Sequence, residues 1–231
     1  MNEEIISGPK VEFKITGDGS HTLYVPELGE HYHSVFGAIA ESKHIFLEAG
    51  FKHIYRPFEK IRILEIGFGT GLNALLTCIE SEAKGCKMKY TTIELNPLQE
   101  DVYSLLNFAD LINYRDSREI FLRLHQLPWN KWAHLTENFF LLKINTSLEA
   151  YQPAKEAFDL VYFDAFGPDI QPEMWTKEVF NKIAFGLKKH GVLVTYSTKG
   201  TVKRNLSGAG FSLEKLPGPR GKREFLKAIK I

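Results

Sequence analysis

The stretch LEIGFGTGLN, residues 64–73, constrains the fold of this 231-residue chain more than any other feature. An apolar run leads into it and a helical pattern follows it, which predicts a strand, a tight turn and a helix. Gly67, Gly69 and Gly71 have no Cβ, so a ligand can lie against the backbone of the turn. The sixth position counted from Gly67 is Leu72, which disfavours a dinucleotide-binding loop.

Short apolar runs alternate with helical patterns after Pro57. The runs are IRILEI, YTTIEL, FFLLKI, DLVYF and GVLVTYS, and GLNALLTCIE and PLQEDVYSLLNF separate the first three. This order predicts an α/β fold with a doubly wound, mostly parallel sheet. The last two apolar segments, GFSLEKL and EFLKAIK, predict an antiparallel pair that closes one edge.

Capping residues predict where the helices begin. Asn96-Pro97 is a good start for the second crossover helix, and Asp116 can cap another helix that ends before Pro128. Within residues 1–58, VEFKITGDGSHTLYV predicts a β-hairpin, and SVFGAIAESKHIFLEAG predicts an amphipathic helix between a possible Ser34 cap and Gly50. We expect residues 1–58 to form an extension that packs on a core of residues 59–231.

Composition narrows the class of protein. The sequence has no run of about 18 apolar residues, and its start, MNEEIISGPK, lacks the order of a signal peptide, so we expect a cytoplasmic enzyme. Cys78 and Cys86 are too few for a disulfide framework and lack metal-ligand spacing, so we expect reduced thiols and no bound metal.

Charge is unevenly distributed although the net charge is only +1. From Phe185 to Ile231 there are eleven Lys or Arg residues and two Glu residues. This asymmetry suggests a polyanionic partner near the C-terminal part, and a solvated basic face is the alternative.

Two acids indicate what the glycine turn binds. Glu65, just before the first glycine, would repel a phosphate but can accept hydrogen bonds from an ammonium group, directly or through water. Glu94 ends the second strand, about 27 residues after Gly67, where a carboxylate can accept from both ribose hydroxyls. A nucleoside with an amino-acid tail fits both acids, and S-adenosylmethionine is such a molecule.

The motif around this turn resembles the E/D-x-G-x-G-x-G motif of class I, Rossmann-like methyltransferases, and the similarity covers about residues 60–231. It implies S-adenosyl-L-methionine as the cofactor, with Glu94 on the ribose and the methionine end held by the turn. Asn145 and Thr146 stand where many relatives place an acid beside the adenine. The turn residues that the resemblance assigns to the cofactor are Glu65, Gly67, Phe68, Gly69, Gly71, Leu72 and Asn73.

Asp164 is the candidate catalytic residue. It follows the strand DLVYF, at the sheet edge where ligands collect in such folds. A carboxylate there can orient the N–H groups of an amine and accept its proton. Asp169 and Glu173 are weaker candidates, and a plain turn or cap role for Asp164 is the alternative.

A longer match, over three segments of the chain, is more specific than the glycine motif. DAFGPDIQPEMW, KREFLKA and HSVFGAIAESKHIFLEAGF resemble the methyltransferase domain of the bacterial bifunctional tRNA 5-methylaminomethyl-2-thiouridine biosynthesis proteins, the MnmC family. The resemblance implies methylation of the exocyclic amine of an aminomethyl group on the wobble uridine of tRNA, with Asp164 as the acid. Met174 could equally be a core residue or a contact of the base. Glu41 could equally face the crevice or lie on a solvent-exposed helix face. The residues expected to wall the base pocket are Phe166, Pro168, Pro172 and Trp175.

The same resemblance implies partners. The sequence stops at Ile231, without the flavin-dependent oxidase domain of the bifunctional proteins, so we expect a tRNA that already carries the aminomethyl group, supplied by a separate oxidase or other enzyme. Phosphates of the anticodon arm would be contacted by Lys199, Lys203, Arg204, Arg220, Lys222 and Arg223. Two alternatives stay open: a small-molecule amine N-methyltransferase or aminopropyltransferase-like enzyme, and a nucleotide-binding module without catalysis.

Overall fold

The computed structural model describes residues 10–57 and 59–231. The residues weighed as a signal peptide, apart from Lys10, and the expected boundary at residue 58 lie outside these ranges. The strands within them are β1 (Glu12–Ile15), β2 (His21–Val25), β3 (Glu30–His31), β4 (Ile61–Ile66), β5 (Met88–Glu94), β6 (Trp132–His134), β7 (Phe139–Asn145), β8 (Phe158–Phe163), β9 (Leu187–Thr195), β10 (Phe211–Pro217) and β11 (Glu224–Lys230).

Helices cover both faces of the larger sheet. Within the described ranges, no helix is long and apolar enough to cross a membrane. The α-helices are α1 (Ala38–Ser42), α2 (Leu72–Ala83), α3 (Glu100–Tyr103), α4 (Phe108–Leu111), α5 (Ser117–Gln126), α6 (Lys177–Gly186) and α7 (Gly200–Gly208), with a π-helix at Lys43–Lys52 and a 3₁₀ turn at Pro172–Trp175.

The larger sheet has the order β10-β11-β9-β8-β4-β5-β7-β6. Its middle strands are parallel, and β11 and β10 continue it with antiparallel pairing, which confirms the fold class and the expected C-terminal pair. The opposite edge carries the short antiparallel strand β6, which the sequence did not predict because three residues are too few to show an alternating pattern.

The strand order reverses between β4 and β8. The chain runs outward from β4 to β5 and β7 and then returns to β8 on the other side of β4. Such a reversal leaves a crevice at the carboxyl ends of the two strands. The turn after β4 and the acid after β8 meet there, and the Asp164 N–H donates to the Ile66 carbonyl at 3.0 Å.

The N-terminal segment packs against this sheet. The predicted hairpin is confirmed as β1 and β2, and β3 adds a third strand. Leu23 and Phe46 belong to the same buried cluster as Ile63 and Tyr90 of the sheet. The division of the chain at residue 58 stays a prediction.

Two predicted helix starts are wrong. The first helix begins at Ala38, after Gly37, and the Ser34 hydroxyl instead accepts the Phe36 N–H at 3.3 Å in the preceding turn. The helix after β5 begins only at Glu100, because the backbone at Asn96 turns back and its N–H donates to Glu94 Oε1 at 2.8 Å. Loop-to-side-chain bonds therefore replace both predicted caps.

Two other expectations about helix ends have mixed outcomes. Asp116 does precede α5, but its carboxylate faces the Arg115 guanidinium at 3.9 Å and makes no capping bond to the residues of α5. The end of that helix before Pro128 is confirmed. The predicted helix end at Gly50 is wrong, since the π-helix runs to Lys52.

Gly50 is needed for packing rather than for a helix end. A Cβ on Gly50 would lie 2.9 Å from Tyr162 Cε1 and 3.2 Å from Val194 Cγ2. The π-helix therefore approaches the centre of the sheet at the one position without a side chain. We expect this approach to limit which residues position 50 tolerates.

Gly50→Ala should lower the free energy of unfolding by about 1–3 kcal/mol, because the added methyl group overpacks a rigid part of the core. The matched control is Gly208→Ala, at the end of α7, where the added Cβ meets only the flexible Lys177 side chain at 3.2 Å. That variant should change stability by less than about 0.5 kcal/mol. Urea unfolding measures both, and equal stabilities for the two variants would contradict the packing argument.

Candidate active site

A cavity of about 1380 Å³ opens at the carboxyl ends of the parallel strands. Its walls come from the turns after β4, β5, β7, β8 and β9, from residues 30–36, and from the loop between β10 and β11. Pockets for one small ligand commonly measure roughly 300–1,000 Å³. The cavity therefore has room for two ligands side by side.

The glycine turn forms the floor of this cavity. Gly67, Gly69 and Gly71 have φ values of 87°, 49° and 75°, which an L side chain rarely adopts. A Cβ on Gly67 would lie 2.8 Å from the carbonyl oxygen of Asp164, and one on Gly69 would lie 3.1 Å from the Tyr32 ring. The glycines thus allow both the turn and the close approach of its neighbours.

Most of the predicted residues of this turn line the cavity, and one lies behind its wall. Phe68, Leu72 and Asn73 line the cavity together with Gly67 and Gly69. Gly71 lies behind the wall, where a Cβ would meet the Leu124 side chain at 2.9 Å.

Glu94 is held rigidly at the end of β5. Its Oε2 accepts the Gly69 N–H at 2.9 Å, and its Oε1 accepts the Asn96 N–H at 2.8 Å. A carboxylate oxygen can accept a second hydrogen bond, and Glu94 lines the cavity. The arrangement leaves both oxygens able to accept from a pair of neighbouring hydroxyl groups, as the ribose prediction requires.

The two candidates after β7 have different positions. Thr146 lines the cavity. The Asn145 amide donates to the carbonyls of Glu94 at 2.9 Å and of Leu95 at 3.0 Å, away from the cavity wall. Asn145 therefore positions the backbone that carries Glu94.

Glu65 lies beneath the glycine turn and is fully buried. Burial raises the pKa of its carboxyl to about 8. Both of its oxygens, and Oδ1 of the neighbouring Asn73, lack a hydrogen-bond partner among the described residues. The Thr92 and Tyr90 hydroxyls and the Asn73 side chain nevertheless lie close enough to oppose the rise in this pKa. Glu65 is not among the residues that line the cavity, and its contact with a ligand stays a prediction.

Asp164 lines the cavity beside the turn. Its Oδ2 accepts a hydrogen bond from the Asn73 side-chain amide at 2.8 Å, which fixes the carboxyl group. Burial, and next the negative charge of Glu41, raise the pKa of Asp164 to about 7, against the opposing effects of Asn73 and Lys222. A carboxyl group with such a pKa can both accept and release a proton near neutral pH.

The expected aromatic wall is only partly in the cavity. Phe166 and Pro168 line it, as does Met174, and the Phe166 ring lies edge-on to Tyr32 with centroids 5.1 Å apart. Trp175 does not line it: its side chain is 2% exposed, and its indole N–H donates to the Phe166 carbonyl at 2.8 Å. The prediction of Trp175 as a wall residue is therefore wrong, because core packing buries the ring. Pro172 opens the 3₁₀ turn that carries it, outside the cavity lining.

Sequence reasoning missed several cavity residues, among them Tyr32, His33 and Tyr196. Tyr32 and His33 come from the N-terminal segment, where HYH has no motif, and His33 Nε2 lies 2.6 Å from the Thr70 hydroxyl in the glycine turn. Burial lowers the pKa of His33 to about 4, so the ring is neutral at pH 7. Tyr196 directly follows β9, and its place at a strand end is a signal that would have found it.

The predicted phosphate-binding residues occupy different places. Lys203 and Arg204 lie on α7, and Lys199, just before it, pairs with Asp169 at the cavity wall. Arg220 is exposed on the β10–β11 loop, and Arg223 lines the cavity mouth. Lys222 departs from expectation because its ammonium group points inward, 2.5 Å from Glu41 Oε1. Glu41 is therefore a residue of the cavity wall, with 7% of its surface exposed.

Known proteins resemble this chain in sequence and in fold. Residues 124–231 match a family model described as S-adenosyl-L-methionine-dependent methyltransferase. This match covers just under half of the chain and makes it similar to the S-adenosyl-L-methionine-dependent methyltransferases. The crystal structure of MnmC2 from Aquifex aeolicus superposes with a TM-score of 0.76 and 28% identity, over 96% of this chain and 71% of that one.

Two curated relatives are bifunctional proteins. The tRNA 5-methylaminomethyl-2-thiouridine biosynthesis bifunctional protein MnmC of Cupriavidus metallidurans is 31% identical over 93% of this chain, and that of Nitrosospira multiformis is 30% identical over 89%. The chain spans about a third of their length, 33% and 35%. Spermidine synthase from Thermotoga maritima shares the fold, with a TM-score of 0.52 at 13% identity over 98% of this chain and 72% of that one.

The charge along the cavity is mainly negative. Acidic side chains outnumber basic ones in its walls, and Glu41, Glu94 and Asp164 are among the acidic ones. Within residues 10–57 and 59–231, no group of three or more His, Cys, Asp and Glu is placed to hold a metal ion. A negative cavity favours ligands that carry positive charge, and the sulfonium of S-adenosyl-L-methionine is one.

Glu94→Gln should weaken S-adenosyl-L-methionine binding on the order of tenfold, because a charge-assisted acceptor for the ribose hydroxyls and for the Gly69 N–H becomes a weaker neutral one. Isothermal titration measures the affinity. Glu100→Gln, an exposed acid at the start of α3, is the control and should bind as the parent does. Unchanged affinity in Glu94→Gln would remove Glu94 from the ribose site.

Proposed function

We propose that this protein is an S-adenosyl-L-methionine-dependent methyltransferase that transfers a methyl group to the exocyclic amine of 5-aminomethyl-(2-thio)uridine at the wobble position of tRNA, giving 5-methylaminomethyl-(2-thio)uridine. The observation that carries the proposal is Asp164, a fixed carboxyl group with a near-neutral pKa in the wall of a large, negative cavity. Relatives at 30–31% identity whose names specify 5-methylaminomethyl-2-thiouridine biosynthesis support the choice of acceptor.

The cavity offers a place for the methyl donor. When bound, S-adenosyl-L-methionine supplies a methyl group on a positively charged sulfur. Glu94 would accept from the ribose hydroxyls, and the backbone of Gly67 to Gly69 would face the amino-acid end. Asn73 reaches from this turn to Asp164, so one side chain links the donor side of the cavity to the acid.

Asp164 would act on the acceptor. An alkylamine is protonated at neutral pH and has no free electron pair until it loses a proton. The Asp164 carboxylate would accept that proton, and the freed electron pair on nitrogen would then bond to the methyl carbon as the carbon–sulfur bond breaks, with its electron pair left on sulfur. Displacement at carbon depends mainly on alignment, so the fixed position of Asp164 matters as much as its basicity.

The distribution of charge fits an RNA of which only one base enters the cavity. Acidic walls would repel phosphates from the interior, whereas Arg223 lies at the mouth, Arg220 is exposed on the same β10–β11 loop, and Arg204 is exposed on α7. An unpaired anticodon base can be splayed out and stacked on an aromatic ring, and Phe166 and Tyr32 offer rings inside. A tRNA acceptor also places the reaction in the cytoplasm.

A free small amine is the second candidate acceptor. The same negative walls that favour a cationic group on a nucleoside also favour a free polyamine. The basic residues at the mouth favour the tRNA, because a small cation would be repelled by them.

Methyl transfer tests the proposal directly. The protein should transfer labelled methyl from S-adenosyl-L-methionine to tRNA that carries aminomethyluridine, and Asp164→Asn should lower kcat by roughly 10²- to 10⁴-fold with nearly unchanged donor affinity. Asp110→Asn, an exposed acid on α4, is the matched control. Robust transfer to a small amine with none to this tRNA would refute the proposed acceptor.

The pH dependence of kcat/KM should show a limb near the Asp164 pKa of about 7. Below it the carboxyl is protonated and cannot accept a proton, so kcat/KM should fall about tenfold per pH unit. Single-turnover methyl transfer at a series of pH values measures this, and the Asp164→Asn profile should show no break near pH 7. A profile that stays flat down to about pH 5 would rule out Asp164 as the base. The ionisable groups that act on the Asp164 carboxyl are Glu41 and Lys222, and the negative charge of Asp164 in turn raises the pKa values of Glu65, Tyr196 and Tyr90.

A further inference from the structure

The Lys222 side chain occupies the interior of the cavity. Its Nζ lies 2.5 Å from Glu41 Oε1 and 4.1 Å from the centroid of the Tyr196 ring. The Glu41 side chain is only 9% exposed and that of Lys222 28% exposed. A lysine held in this way is not available to an RNA phosphate outside.

Glu41 and Tyr196 are held in place without Lys222. The Ser34 N–H donates to Glu41 Oε2 at 2.9 Å, and the Tyr196 hydroxyl donates to the Ala165 carbonyl at 2.8 Å. The latter bond ties the ring to the residue next to Asp164. Lys222 itself reaches in from the turn between β10 and β11, where its N–H donates to the Pro219 carbonyl at 2.9 Å.

A carboxylate beside an aromatic face is the chemistry that recognises an ammonium ion. The acceptor proposed above carries an ammonium group of the same kind and has to reach Asp164 in the same cavity. We propose that Glu41 and Tyr196 form the subsite for the primary ammonium group of the acceptor, and that Lys222 occupies this subsite until the acceptor displaces it. This inference rests on the proposed function.

Exchange of one ammonium for another explains why a buried acid is tolerated here. An unpaired carboxylate in a partly desolvated site is costly, and Lys222 keeps Glu41 paired while the cavity holds no acceptor. Displacement replaces the partner without leaving the charge alone. A neutral substituent on the uridine cannot make this exchange, so the subsite also selects for the aminomethyl group.

Phosphate-free nucleosides test the subsite. We suggest titrating 5-aminomethyluridine and the neutral 5-hydroxymethyluridine into protein saturated with S-adenosylhomocysteine. Lys222→Gln should bind the aminomethyl nucleoside several-fold more tightly than the parent, because the competing lysine is gone, and should bind the hydroxymethyl nucleoside equally well. Glu41→Gln should weaken aminomethyl binding on the order of tenfold, to the level of the neutral analogue.

Lys189→Gln is the matched control, because Lys189 is exposed near the start of β9, away from this cavity. It should bind both nucleosides as the parent does, and S-adenosylhomocysteine affinity shows that every variant is folded. Weaker or unchanged aminomethyl binding in Lys222→Gln, or no aminomethyl binding by the parent, would overturn the subsite. Methyl transfer to tRNA is scored separately: its loss in the parent, with the nucleoside pattern intact, would refute the proposed function and leave the subsite standing.

Discussion

The contact between two strand ends organises the whole active site. Gly67 follows β4 and packs so closely on the Asp164 carbonyl that a Cβ would lie 2.8 Å away. Because β4 and β8 are neighbours at the point where the strand order reverses, this contact sets the donor turn and the acid side by side. Every other element of the cavity is built around it, including the N-terminal segment that brings in Tyr32 and Glu41.

The charges in the cavity determine which ligands it favours. The cavity wall is rich in acids, and burial raises the pKa of both Glu65 and Asp164. Lone buried carboxylates are costly, so such a site gains most from ligands that bring positive charge. A sulfonium donor and an ammonium acceptor both do so, whereas the phosphates of an RNA fit only at the mouth, where Arg223 lies.

The sequence predicted much of this fold because its signals are local. Alternating apolar runs and the glycine turn depend on neighbours along the chain, and strands β4, β5, β7 and β8 were found this way. Asp164 and Glu94 were found because parallel strands deliver their last residues to one edge. Trp175 and Lys222 could not be placed, since whether an aromatic ring enters the core, or a lysine turns inward, depends on partners that are distant in sequence. Tyr32 lies on a segment without a motif, and only the tertiary fold brings its ring over Gly69.

Glu65, beneath the glycine turn, and Asp164, beside it, differ in protonation because their surroundings differ. Glu65 is fully buried with a pKa of about 8, so it is largely protonated at neutral pH and can remain without a charged partner. Asp164 opens to the cavity, and its bond from Asn73 and the nearby Lys222 ammonium hold its pKa lower, at about 7. A cation that binds near both would lower both pKa values and favour their carboxylates. Donor binding itself would therefore help to convert Asp164 into the base that the acceptor amine needs.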